Sequence, residues 1–223
     1  MFLIDEIVDQ FEQSFDEQSN QRTVKTVKKL FVVFLELSQK YRLDEINVSL
    51  LTGTAGVSRK SFYLHFENLD AFYRLIINLL VLKYDQYLQS ITAPYVFRKY
   101  YMAIFRYFFE LGPAFHKIFL DESYIRLIIS VIENCSAEMS DYFHFFDGYV
   151  GNQLLDAAGV FINGGSIMTV RALKSRDPSA SLEEIMETVA TLSARTLGIT
   201  SDLDKLVDPQ YINQRANRTL HLI

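Results

Sequence analysis

The chain has 223 residues, 49% hydrophobic and 22% charged, with 22 Lys+Arg against 27 Asp+Glu for a net charge of −5. A chain of this length buries roughly two-thirds of its unfolded surface, and its composition excludes a disordered polymer and a uniformly basic nucleic-acid coat. The single cysteine, Cys135, excludes a disulfide framework and a cysteine-based zinc site.

The charge is uneven. Residues 1–21 carry six acids and no base, residues 22–74 carry nine bases and five acids, and the remainder is acidic again. A small basic segment joined to a larger acidic body is the pattern of a DNA reader with a separate module. The acidic start lacks the basic stretch of a signal peptide. No run of 18 uncharged apolar residues occurs. A cytoplasmic protein without membrane contact is expected.

Four prolines and nine glycines leave long segments in which apolar residues recur three and four apart, which predicts an all-α fold. Phe2, Leu3, Ile7, Phe11 and Phe15 share one face of a short N-terminal helix, and the polar run Gln18–Gln21 loosens the chain after it. A helix is expected over 23–41, with Val27, Leu30, Phe31, Phe34 and Leu37 as its buried stripe. Asn47 is placed to cap a very short helix over 48–54. Gly56 is placed to take a positive φ in the turn Ala55-Gly56-Val57, and Ser58 to cap a second short helix over 59–65. A longer helix follows from about Asn68 to Ser90. Pro94 suits the first position of a helix reaching about Glu110, which Gly112-Pro113 breaks. A short helix to Leu120 is followed by a long apolar one from Glu122 to about Phe146. Asn152–Ser175 reads as a helix with Gly164-Gly165 inside it, ended by Asp177-Pro178. Ser181, with Glu184 three residues on, opens a last helix that runs to about Leu197 and stops at Gly198. Residues 199–223 read as a tail.

Residues 47–66 carry the most information. Two short helices meet at a glycine turn, where Leu51, Ala55, Val57 and Phe62 can clamp them together. Arg59, Lys60, Ser61, Tyr63 and His65 are left on the outer side of the second helix. A helix-turn-helix needs a small residue at the crossing, an apolar clasp and a polar face thin enough to enter a major groove. Ala55-Gly56-Val57-Ser58 followed by Phe62-Tyr63-Leu64-His65-Phe66 resembles the signature of the TetR family of bacterial transcriptional regulators. The resemblance is strong over about 45 residues, and elsewhere rests on length, helix order and the Phe161–Leu173 run with its double glycine.

The resemblance implies an all-α homodimer, with an N-terminal three-helix DNA-binding domain over 22–68, a ligand-binding and dimerisation domain over 69–223, and residues 1–21 as an extension. It implies a regulator, usually a repressor, of a pseudo-palindromic operator, with double-stranded DNA and a small-molecule effector as partners and no cofactor. By position, Asn47 and Ser58 cap the reader helices at the DNA, and Arg59, Lys60 and Ser61 reach base edges or phosphates. Tyr63 and His65 fall on phosphate contacts. An arginine such as Arg59 can read guanine bidentately, and a tyrosine can donate to a phosphate oxygen. Two positions depart from the pattern. Leu69 stands where the family usually has Lys, and Ser49 where Arg or Lys is common. Lys25 and Lys28 are candidates to compensate. The extra acidic start either packs on the body or is a disordered arm that repels DNA.

Between Tyr95 and Tyr149, 55 residues hold 16 of the 31 aromatics. The resemblance places an effector pocket there, expected to be lined by Phe105, Phe108, Phe109, Phe115, Phe119 and Tyr142. Arg106, His116, Asn134 and His144 are candidates to orient an apolar or aromatic ligand. Cys135, beside Ile129, Ile132 and Met139, reads as a buried inert thiol. Gly164-Gly165 weakens its helix, so something should approach closely there. Ile162, Ile167, Val170, Ile185, Met186, Val189, Leu192 and Leu197 are read as the dimer interface, with intrachain core as the alternative. No phosphate-binding glycine loop, dinucleotide fingerprint, nucleophile elbow or HExxH occurs, so no enzyme and no metal site are expected. The alternative function is a same-fold regulator acting through a protein partner.

Overall fold

The computed structural model describes residues 8, 11–15, 20–90, 97–130 and 152–196. Among them the fold is all-α, with no strand. The helices are α1 Gln21–Ser38, α2 Val48–Ala55, α3 Arg59–Tyr63, α4 Leu69–Ser90, α5 Phe97–Glu110, α6 Pro113–Leu120, α7 Asn152–Arg176 and α8 Leu182–Thr196. Turns of 3-10 helix lie at Phe11–Ser14, Leu43–Glu45 and Glu122–Tyr124, and residues 125–130 are helical. Pro94, the expected continuation to Phe146 and the tail 199–223 lie outside the described residues. So do Asn134, Cys135, Tyr142, His144 and Leu197. No described helix is long and apolar enough to cross a membrane.

The chain divides into two compact units. One contains the described residues up to Lys83 together with Phe108–Ile128. Its organising element is α1, whose buried face runs through Val24, Val27, Leu30, Phe31, Phe34 and Leu37. The Asn20 side chain accepts from the amides of Arg22 (2.9 Å) and Thr23 (3.4 Å), starting α1 two residues before the expected position. The segment before it forms a 3-10 turn where the apolar spacing predicted a helix. Its rings still go inward: Phe11 and Phe15 are buried, and Phe11 stacks on Phe31 at 5.5 Å. Glu12 lies 4.0 Å from Lys28. The described part of the acidic start therefore packs on α1.

Beyond α1, the same unit is tied back on itself. Lys117 Nζ donates to the Gln39 carbonyl at 3.2 Å, and Tyr124 Oη to the Tyr41 carbonyl at 2.8 Å. The Leu43 amide donates to Ser123 Oγ at 3.1 Å, and Ser123 in turn donates to Asp121 at 2.7 Å. These bonds satisfy backbone groups of the chain that follows α1.

The second unit contains Tyr84–Tyr107 and the described residues beyond Ile129. Here α7 and α8 pack on each other across a tight connection. In that connection Ser179 N and Oγ donate to Asp177, Lys174 Nζ donates to the carbonyls of Pro178 and Ala180, and Ser181 accepts from the Glu184 amide. Ion pairs Arg98–Glu187 and Arg106–Glu183 tie α5 to α8. Inside, the Tyr101 hydroxyl meets Ser166 Oγ and, at 2.5 Å, Ser193 Oγ, while the two serines lie 3.3 Å apart.

Candidate nucleic-acid interface

Local chemistry fixes α2 and α3. The Asn47 side chain accepts from the Leu50 amide at 3.0 Å, which starts α2 as expected. Gly56 ends it at φ 62, ψ 29, in the left-handed region, with Val57 N–H reaching the Thr52 carbonyl at 3.0 Å. A Cβ on Gly56 would meet nothing within 4 Å, so backbone conformation rather than space calls for glycine. Ser58 Oγ then accepts from the Ser61 amide at 3.0 Å and opens α3. The helix stops at Tyr63, two residues earlier than expected, because His65 N–H turns to the Phe62 carbonyl in a tighter bond.

The inner side of this pair is closed by rings. Leu51 and Phe62 are fully buried, while Ala55 and Val57 are half-buried. Phe62 lies 5.3 Å from Phe66 and 6.2 Å from Phe72, and Phe66 lies 5.3 Å from Phe72. Phe34 of α1 meets Phe72 edge-on at 6.0 Å. Tyr73 packs on Phe34 and Phe72 at 5.5 and 5.9 Å. Its buried hydroxyl has no hydrogen-bond partner among the described residues. Burial, reinforced by the Asp70 charge, pushes that phenol's pKa well above its ordinary value.

The outer side is polar. Ser49, Ser58, Arg59, Lys60 and Tyr63 are exposed, and Ser61 and His65 are half-buried. Neither Arg59 nor Lys60 forms an ion pair among the described residues, and α3 contains no acid. Tyr63 stands edge-on to Phe62 at 5.4 Å, which holds its ring outward. His65 lies against Phe66, and burial pulls its imidazole below the ordinary value. At neutral pH it offers a hydrogen bond rather than a charge. Lys25 is exposed on α1, in one stripe with exposed Arg22 and Lys29 at helical spacing. Lys28 faces Glu12 instead. Arg22 and Lys29 are surface features that family position does not mark, and Leu64, within the quoted signature but given no role there, is exposed as well. Counting unpaired residues on each helix face would have found them.

The described residues expected around an effector fall in both units, each taken by itself. Phe109, Phe115 and Phe119 are buried, with Phe109 4.6 Å from Phe119 and 5.6 Å from the exposed His116. Phe105 is buried in the other unit, 5.4 Å from Tyr101. Arg106 is exposed and paired with Glu183. Phe108 lies on α5. No group of three His, Cys, Asp or Glu that could hold a metal occurs among the described residues.

The α7–α8 pair differs from the expected interface. Ile162, Ile167, Val170, Ile185, Met186 and Val189 are all buried within this chain. Exposed instead are Val160, Phe161, Met168 and Leu192, of which only Leu192 was expected. Apolar residues occur on more than one side of α7, and periodicity alone does not say which side the chain covers for itself. A groove of about 270 Å³ runs beside this strip, bounded by Phe161, Gly165, Thr169, Leu192 and Thr196, with Ser166 and Ser193 also lining it. A Cβ on Gly164 or Gly165 would meet nothing within 4 Å among the described residues, so the space a side chain would take there is open.

The sequence matches no protein-family model and no curated protein, so the functional reading rests on this geometry and the chemistry of its residues.

Proposed function

We propose that this chain is a TetR-like transcriptional regulator, a repressor that binds a pseudo-palindromic operator as a homodimer. One observation carries the reading: α2 and α3 meet at a left-handed glycine with Leu51 and Phe62 sealed inside and unpaired Arg59 and Lys60 outside. That is the construction of a helix-turn-helix whose second helix enters a major groove. Arg59, Lys60 and Ser61 then face base edges or phosphates, and Tyr63, His65 and Lys25 face the backbone. A second copy covers the apolar strip of α7 and α8, where the open glycines accept a close neighbour. The two α3 helices then enter successive major grooves about one turn apart. A small apolar or aromatic molecule, taken up in the aromatic-rich part of the chain, regulates the dimer by binding one spacing of the two heads better than the other.

The test is a salt titration of the full-length protein on DNA from upstream of its own gene. Specific binding weakens with salt in proportion to the phosphates contacted. Arg59→Ala costs roughly 1–3 kcal/mol of operator affinity and relaxes specificity. A second reading, a regulator acting through a protein partner, is favoured by Leu69 and Ser49 at positions where cations would hold phosphates. The absence of any specific complex at any salt concentration would select it.

A further inference from the structure

Leu64 is the most exposed large apolar residue among those described, at 71%. Its backbone continues α3, with φ −72, ψ −23 and its amide donating to the Lys60 carbonyl at 3.1 Å. The side chain therefore stands one turn beyond Lys60 on the same stripe, as Tyr63 stands one turn beyond Arg59. Packing does not require a leucine here, because the inward positions are taken by Phe62 and Phe66. An apolar contact made here on complex formation would take this leucine out of water and so add to affinity. Its surroundings select the visitor. Exposed Arg59 and Lys60 share the face, and α3 has no acid, so the complement is a polyanion with a small apolar group set into it. In the major groove that group is the 5-methyl of thymine, the one hydrocarbon feature of base-pair edges there.

We propose that Leu64 contacts the 5-methyl of one thymine in each operator half-site and is a specificity-determining residue of the complex. This rests on the DNA-binding reading above and adds a base identity to it. The experiment first recovers duplexes from a random double-stranded pool with full-length protein. Each thymine of the recovered half-site is then replaced singly by deoxyuridine, which removes only the methyl. One replacement per half-site should weaken binding of the unaltered protein about fourfold, the worth of one buried methyl. The same replacement should leave binding by Leu64→Ala and Leu64→Gln unchanged, and both variants should melt like the unaltered protein. Should every thymine tolerate the replacement, or should the loss persist in both variants, the assignment is overturned while DNA binding stands. If no duplex is recovered, DNA binding itself fails and the assignment fails with it.

Discussion

Beneath α3 the rings of Phe62, Phe66 and Phe72 meet within 5.3 to 6.2 Å, while Arg59 and Lys60 stand outside. Between α7 and α8 three hydroxyls lie inside, while Phe161 and Leu192 stand outside. The first face keeps its rings packed beneath it and its charges in solvent. The second is satisfied internally, since three hydroxyls can each donate and accept once around a closed ring. On the outside it exposes Phe161 and Leu192 beside an open groove.

That contrast can be broken most severely at Phe62. Phe62→Ala should cost about 3–5 kcal/mol in chemical denaturation, because the rings around it cannot collapse into the space. A loss below 1 kcal/mol would mean that α3 is not held from beneath. The other face is tested by Phe161→Asp, which should weaken self-association by about 2 kcal/mol, roughly thirtyfold in Kd, in sedimentation equilibrium. Its melting should change little at concentrations low enough that both proteins are monomeric, because the side chain is 67% exposed in the single chain. An unaltered dimer would move the interface elsewhere. Two tyrosines then sharpen the comparison. Tyr101→Phe removes a hydroxyl that Ser166 and Ser193 both use and should destabilise by about 1–2 kcal/mol. Tyr73→Phe removes a buried hydroxyl without a partner among the described residues and should stabilise by up to about 1 kcal/mol. The same change of one atom is thus expected to carry opposite signs in the two regions, read by urea unfolding. Equal signs would refute the contrast.

The α2–α3 pair was legible because its determinants are local. Asn47, Gly56 and Ser58 each act within four residues, and each does in the structure what its chemistry predicts. Asn20 has the same chemistry, yet its setting in a polar run disguised a helix start as loose chain. The exposed strip was not legible. Phe161 and Ile162 are adjacent, both apolar and both on α7, and only tertiary packing decides that Ile162 is covered and Phe161 is not. The placement of individual rings was no more legible. Composition reports that rings are plentiful between Tyr95 and Tyr149, but not that Phe105 and Phe109, one helical turn apart on α5, belong to different compact units.

The bonds from Lys117, Ser123 and Tyr124 to residues 39–43 bear on how the molecule could be rebuilt. The amino-terminal head is not a portable cassette. A fragment ending after α4 would hand the Gln39 and Tyr41 carbonyls and the Leu43 amide to solvent and strip α1 of the helix packed beside it. A chimera meant to lend this head to a foreign body must carry the returning stretch Pro113–Tyr124 as well, since partners of the chain that follows α1 are supplied from some eighty residues downstream.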